Sequence, residues 1–341
     1  MSDEALLEIR DLDVTYWGRS LLGLKGKAFH AVKGATLAIR AGETLGLVGE
    51  SGSGKSSIAN TVLGLVPASG GSIRFGGVEL TEMKTRYPAD IRGQIQAVFQ
   101  DPYSSLNPSM TVEEIITEPL RVHTAMTSDE RRARALELLK LVSLSEEHLG
   151  RHPHQFSGGQ RQRIAIASAL ALTPKLIVLD EPVSALDVST QNQIINLLYE
   201  RRDALGIAYL LIAHDLALVH HISNRIAVMY LGHIVEEGPS DRVYRAPAHP
   251  YTKALIDAVP LLDPDAQRRR RADRKAAPAQ ERPRVAATGC PYKNRCPFAM
   301  PRCHSEIPPA FAVAGGGTAS CFLLDGASVA VAAAAVAEAT P

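Results

Sequence analysis

Short apolar runs punctuate the chain: LLEIRDLDVTY near its start, then ATLAIRAG, ETLGLVGE, KLIVLDE, AYLLIAHD and RIAVMYLGHIVEEG. Several are continuous rather than alternating, as strands are when a parallel sheet is covered on both faces. Between them, DERRARALELLKLVSL and TQNQIINLLYERRDAL place apolar residues three and four apart, the spacing of one helix face. Alternating strands and helices predict an α/β domain with a mostly parallel sheet. From about Asp101 to Thr173 the strand pattern gives out and helical patterns take over, which predicts a helical insertion over 101–173. No internal repeat is visible.

Past Pro264 the pattern changes to QRRRRADRKAAPAQERPR, charged and poor in apolar residues. It reads as a solvated linker over 266–289, with contact to acidic lipid or a partner as the other use of such a charge run. The end, GASVAVAAAAVAEATP, is alanine-rich but too short and too weakly apolar for a membrane span, and reads as a frayed tail over 326–341. The expected division is therefore one domain over 1–265, a linker, a small cysteine-bearing unit over 290–325, and the tail. Length adds that 341 residues suit two domains or one large domain with an appendage. A formal charge of +1 gives no basic excess, and no nucleic-acid partner is expected. The N-terminus MSDEALLEIRDLDVTY is acidic and lacks a signal peptide's basic start and apolar run. The expected compartment is the cytosol, where four cysteines are better suited to metal than to disulfides.

Candidate chemistry begins at Gly49–Ser56, GESGSGKS, a match to G-x-x-x-x-G-K-[ST]. It follows the apolar run ETLGLV and precedes the helical pattern SSIANTVLGL, the strand–loop–helix context that a phosphate-cradling loop needs. Gly49, Gly52 and Gly54 permit the backbone angles that turn N–H groups toward phosphate oxygens, and Ser51, Ser53 and Ser57 complete the loop. The helix N-terminus adds partial positive charge. Lys55 is placed to bridge the β- and γ-phosphates, and the Ser56 hydroxyl to ligate Mg²⁺. Further on, LIVLDE is a buried strand ending in two acids. Asp180 is the candidate partner of Mg²⁺, and Glu181 the candidate general base for an attacking water.

FSGGQRQR, Phe156 to Arg163, has no role in general phosphate-loop chemistry and resembles the signature sequence of ABC ATPases. Its neighbours agree in order and spacing over roughly residues 5 to 265. Gln100 in AVFQDPYSSLNP resembles the glutamine-loop residue that senses Mg²⁺ and contacts the membrane partner. SALD, Ser184 to Asp187, resembles the D-loop; His214 in LLIAHD resembles the switch histidine; Tyr16 in DVTY resembles the aromatic that stacks on adenine. The resemblance implies an ATP- and Mg²⁺-dependent hydrolase that works as a head-to-tail pair. Each ATP would lie between one phosphate loop and the other domain's Ser157, Gly158, Gly159 and Gln160. Those residues start a helix and would present N–H groups and a hydroxyl to an anion. The implied fold adds an antiparallel β subdomain to the mostly parallel core.

FQDPYSSLNPSMTVEEII, EPVSALDVSTQNQIINLL, MYLGHIVEEGP and HPYTKALIDAVP narrow the resemblance to ATPase subunits of bacterial dipeptide/oligopeptide importers, with nickel importers close by. The insert between Tyr16 and Ala31, WGRSLLGLKGKAFH, is similar to the second of the two ATPases in such importers. Implied partners are a sibling ATPase or a second copy, two transmembrane permease subunits and an extracytoplasmic peptide-binding protein. The implied place is the cytoplasmic face of the inner membrane, held peripherally. The alternative is an ABC-type accessory ATPase of an assembly that moves no solute.

All four cysteines lie near the C-terminus, as C-x5-C-x6-C-x17-C across Cys290, Cys296, Cys303 and Cys321. Four thiolates suit Zn²⁺ or a [4Fe–4S] cluster, although the spacing is not that of common zinc fingers. The importer subfamily's C-terminal extension is similar to this one and carries such a cluster in some members. Free or disulfide-linked cysteines are the remaining reading.

Overall fold

The computed structural model describes residues 5–19, 25–83, 87–258 and 288–326. The linker over 266–289, apart from its last two residues, and the tail beyond 326 lie outside them. The chain opens with β1 (Leu7–Arg19), β2 (Lys25–Ile39) and β3 (Thr44–Val48), then β4 (Gly70–Phe75), β5 (Val78–Glu79) and β6 (Ile95–Val98). After a helical stretch come β7 (Leu176–Asp180), β8 (Ala208–Ala213), β9 (Arg225–Tyr230) and β10 (His233–Pro239). Two short strands, β11 (Phe311–Ala312) and β12 (Thr318–Ala319), complete the set among the described residues.

These strands form two sheets. β2-β1-β4-β5 is antiparallel throughout. The larger runs β11-β12-β10-β9-β3-β8-β7-β6, parallel from β6 to β9 and antiparallel from β9 through β10 and β12 to β11. The continuous apolar runs have a simple cause, since both faces of the parallel strands are covered. Leu176 and Val178 face a core shared with the antiparallel sheet and the helix Lys55–Val62. Ile177 and Leu179 face a second core with the helices of the insertion, the helices Val188–Leu205 and Leu216–Ile222, and the C-terminal segment.

Between Asp101 and Thr173 there is no strand, as the pattern predicts. The principal helices there are Val112–His123, Ser128–Leu141 and Gly158–Ala169. Each opens on a capping box, Thr111 with Glu114, Thr127 with Glu130, and Ser157 with Gln160, which satisfies orphan N–H groups at its start.

Within the insert after Tyr16, β1 continues to Arg19 and β2 begins at Lys25, so its described part is a strand pair. The run RIAVMYLGHIVEEG is two strands, turning at Leu231 and Gly232, both with positive φ. The cysteine-bearing segment is also no separate lobe among the described residues. β12 pairs with β10, and Tyr292 and Phe322 are buried in the same core as Tyr230 and Tyr251.

Candidate active site

The glycine loop leaves the C-terminal end of β3 and runs into the helix Lys55–Val62. Gly49, Gly52 and Gly54 have φ of 157°, 79° and 112°. A Cβ on Gly49 would overlap the Met229 carbonyl, and one on Gly54 the Ala31 carbonyl, so the loop closes only with glycine. Ser53 is buried beneath it, its Oγ without a hydrogen-bond partner among the described residues.

The loop borders a cavity of about 730 Å³ lined by Ser51, Gly52, Gly54, Lys55, Ser56 and Ser57. Gln100 and Asp101 line it from the end of β6, Glu181, Ser184 and Ala185 from the end of β7, and His214 from the end of β8. Sequence reading named most of this lining; Asp101, Ser184 and Ala185 were missed as lining residues, although Ser184 and Ala185 lie within the quoted SALD motif. The site sits outside the carboxyl ends of neighbouring parallel strands, where open α/β sheets bind ligands.

Lys55 Nζ donates to the carbonyls of Gly49, 2.8 Å, and Glu50, 3.1 Å. Burial lowers its pKa, opposed by the carboxylates of Glu181, Asp180 and Glu50. Ser56 Oγ donates to Asp180 Oδ1 at 3.4 Å, joining residues that sequence reading assigned to one ion. Burial raises the Asp180 pKa, an effect that the Ser56 hydrogen bond and Lys55 oppose. Hydroxyl, amide and carboxylate oxygens beside a lysine are a hard donor set suited to Mg²⁺ and a polyphosphate.

Glu181 occupies the left-handed region at φ 48°, a strained conformation for a side chain of this size. Its N–H donates to the Ile212 carbonyl, 2.9 Å, which fixes the turn at the strand end. Its carboxylate accepts from Gln100 Nε2 at 2.9 Å and lies 3.6 Å from His214 Nδ1. Glu181, Gln100 and His214 thus form one cluster. Tyr16 is partly exposed and donates through its hydroxyl to Ser57 Oγ, 3.2 Å, at the far end of the loop.

Ser157, Gly158, Gly159 and Gln160 do not line this cavity. Ser157 caps its helix, donating its N–H to Gln160 Oε1 and accepting from Gln160 N–H. Gly159 packs so closely on Thr190 that a Cβ would collide with it. Asp187 also serves a local role: its carboxylate accepts from Thr190 N–H, Thr190 Oγ1 and Ser189 Oγ, capping the helix Val188–Leu205. Those bonds hold its pKa down to about 2.

Residues 32–184 match the ABC transporter family, and residues 235–303 match the oligopeptide/dipeptide transporter, C-terminal region. The oligopeptide transport ATP-binding protein OppF of Salmonella typhimurium is 47% identical over 309 residues, 89% of this chain and 92% of that protein. This chain belongs to the ABC transporter family. A putative oligopeptide transport ATP-binding protein of Bacillus subtilis, YkfD, is 45% identical over 302 residues, 88% of this chain and 91% of its own. Among solved structures, the dimeric post-hydrolysis state of the ATP-binding cassette MJ0796 bound to ADP and Pi gives a TM-score of 0.62 at 32% identity. That match covers 69% of this chain and 98% of the cassette. Along this ABC ATPase the glycine loop, the helix Gly158–Ala169 and the acidic end of β7 follow one another in that order. Among the described residues no helix is long and apolar enough to cross a membrane.

The cysteine expectation fares differently. Cys290, Cys296, Cys303 and Cys321 are free thiols, which sets the disulfide reading aside, and all four line one small cavity. Its other walls include His249, Tyr292, Phe298, Met300 and Phe322. Burial pushes the Cys296 and Cys321 thiols up to about 11, and Cys290 upward also. Yet no group of three or more His, Cys, Asp or Glu side chains among the described residues is disposed to hold a metal ion. The cavity, about 10 Å³, admits roughly one water-sized sphere. Four thiols are a soft donor set, but as placed they form no metal site, and a [4Fe–4S] cluster does not fit this space.

Proposed function

We propose that this chain is the ATP-hydrolysing motor subunit of an importer for di- or oligopeptides, bound peripherally at the cytoplasmic face of the membrane. The observation that carries the substrate class is the joint match of an ABC cassette and an oligopeptide/dipeptide C-terminal region, in relatives named for oligopeptide transport. Lys55 and the loop N–H groups would hold the phosphates, Ser56, Gln100 and Asp180 the Mg²⁺, and Tyr16 the adenine. Bound Mg²⁺ supplies charge neutralisation on the β- and γ-phosphates. Glu181 would take the proton of the attacking water, with His214 positioning it.

The half-site geometry supports a dimer. One wall carries the loop and the acids, while Ser157–Gln160 lie off it, free to serve the ATP of a sibling or second copy. Two permeases and an extracytoplasmic peptide-binding protein complete the proposed assembly. The division into a cassette, a charged linker and a cysteine segment belongs to the same reading. Metal analysis of anaerobically purified chain tests whether the four thiols around one cavity take up Zn²⁺; a [4Fe–4S] cluster would require the segment to open first.

The test is purification from native membranes with the full chain as bait. Integral-membrane permeases should accompany it, and the complex should hydrolyse ATP. Glu181→Gln should cut turnover by about 10²-fold or more while keeping ATP binding. A soluble assembly without permeases would overturn the importer reading, and near-normal turnover in the variant would remove Glu181 from its role.

A further inference from the structure

The phosphate loop is held from behind by the C-terminal segment. Glu50 is the second residue of GESGSGKS. Its N–H donates to the Tyr251 hydroxyl at 2.9 Å, and both its carboxylate oxygens lie 2.9 Å from Arg295 Nη1. Arg295 stands between Cys290 and Cys296 in sequence. Its own N–H donates to the Tyr292 carbonyl, and the Cys290 N–H to the Cys303 carbonyl, so the turn that presents it is fixed from within. The guanidinium lies between 5.7 and 5.9 Å from the ring centres of Tyr292 and Tyr230, which pack against Tyr251. Its side chain is 15% exposed and that of Glu50 35%, so water screens the pair only in part.

The placement has an electrostatic consequence. The Glu50 carbonyl accepts from Lys55 Nζ, and the Glu50 carboxylate is close enough to act on the charge of that lysine. A carboxylate beside the cradle of a triphosphate repels it unless a cation neutralises the acid. Arg295, 245 residues away in sequence, supplies that cation.

We propose that Arg295 is a positioning residue of the ATP site, which neutralises and orients Glu50 so that the phosphate loop can accept ATP. The cysteine-bearing segment is then part of the ATPase, because it delivers a cation to the phosphate loop. The proposal rests on the reading of residues 49–57 as the ATP cradle.

The experiment measures Mg·ATP binding to the full-length chain and steady-state hydrolysis by the assembled complex. Arg295→Gln should weaken ATP binding and raise KM about tenfold, with kcat within about twofold of wild type, since the effect is on ground-state binding. Arg295→Lys should fall between, because it keeps the charge but not the planar guanidinium. Adding Glu50→Gln to Arg295→Gln removes the uncompensated carboxylate and should restore affinity to within about threefold. Unchanged affinity in Arg295→Gln, a double variant no better than the single, or loss confined to kcat would each overturn the proposal. A wild-type chain that binds no Mg·ATP would instead sink the reading of the cradle. Wild-type binding matched by Arg295→Gln would sink the Arg295 role alone.

Discussion

At the scale of single residues, the site mixes strain, burial and charge in a small volume. Glu181 carries a positive φ while holding Gln100 and facing His214, so its backbone is bent to bring the carboxylate over the cavity. Such strain persists where the surroundings over-determine it. A second residue illustrates burial without catalysis. His233 in β10 has its pKa lowered to about 4, first by burial and then by Lys33, while Asp13 opposes the shift. An unfolded histidine titrates near the ordinary 6.5, so between roughly pH 6.5 and 4 the unfolded state takes up the proton and the folded state does not. The neutral ring's compatibility with folding is therefore fully present above that window and is lost as pH falls through it. His233→Gln should flatten the acid limb of stability between these values in denaturant titrations at stepped pH. An unaltered limb would show that His233 is not its source.

At the scale of elements, the position of the phosphate loop depends on how closely β3 meets the helix Leu216–Ile222. Gly46, mid-strand, has no Cβ, and one built there would overlap Val219 Cγ1 and lie 2.7 Å from Ser223 Oγ. Its glycine serves this contact rather than a turn. Gly46→Ala should destabilise the fold by about 1–3 kcal/mol, the usual cost of overpacking. Val219→Ala in the same chain should recover part of that cost, as coupled neighbours do, and urea unfolding of both variants measures it. Strictly additive losses would show that the two elements do not meet as closely as described.

For the whole molecule, the C-terminal segment is structurally continuous with the cassette. β12 extends the main sheet through β10. Arg242, ion-paired with buried Glu236, donates to the Gly316 carbonyl at 3.1 Å and so ties the segment's turn to the body. Tyr292 and Phe322 are each 1% exposed within the core that holds Tyr230 and Tyr251. Phe322→Ala should cost about 3–5 kcal/mol, typical of a buried aromatic, and should lower one cooperative transition seen by both aromatic fluorescence and circular dichroism. Separate melting of the segment would contradict this continuity.

Much was legible in the sequence because it depends on local chemistry. GESGSGKS must be a glycine turn feeding a helix, and LIVLDE must be a buried strand ending in acids. The strand–helix alternation likewise specified a mostly parallel α/β core. Pairing over long separations was decided by the tertiary structure, because a contact 158 residues apart, such as Arg202 with Thr44, leaves no local trace. The same reason hid the 245-residue reach from Glu50 to Arg295 and the pairing of β12 with β10. Spacing brought the cysteines to notice, yet how closely their sulfurs converge is set by packing around Tyr292 and Phe322, which sequence spacing does not encode.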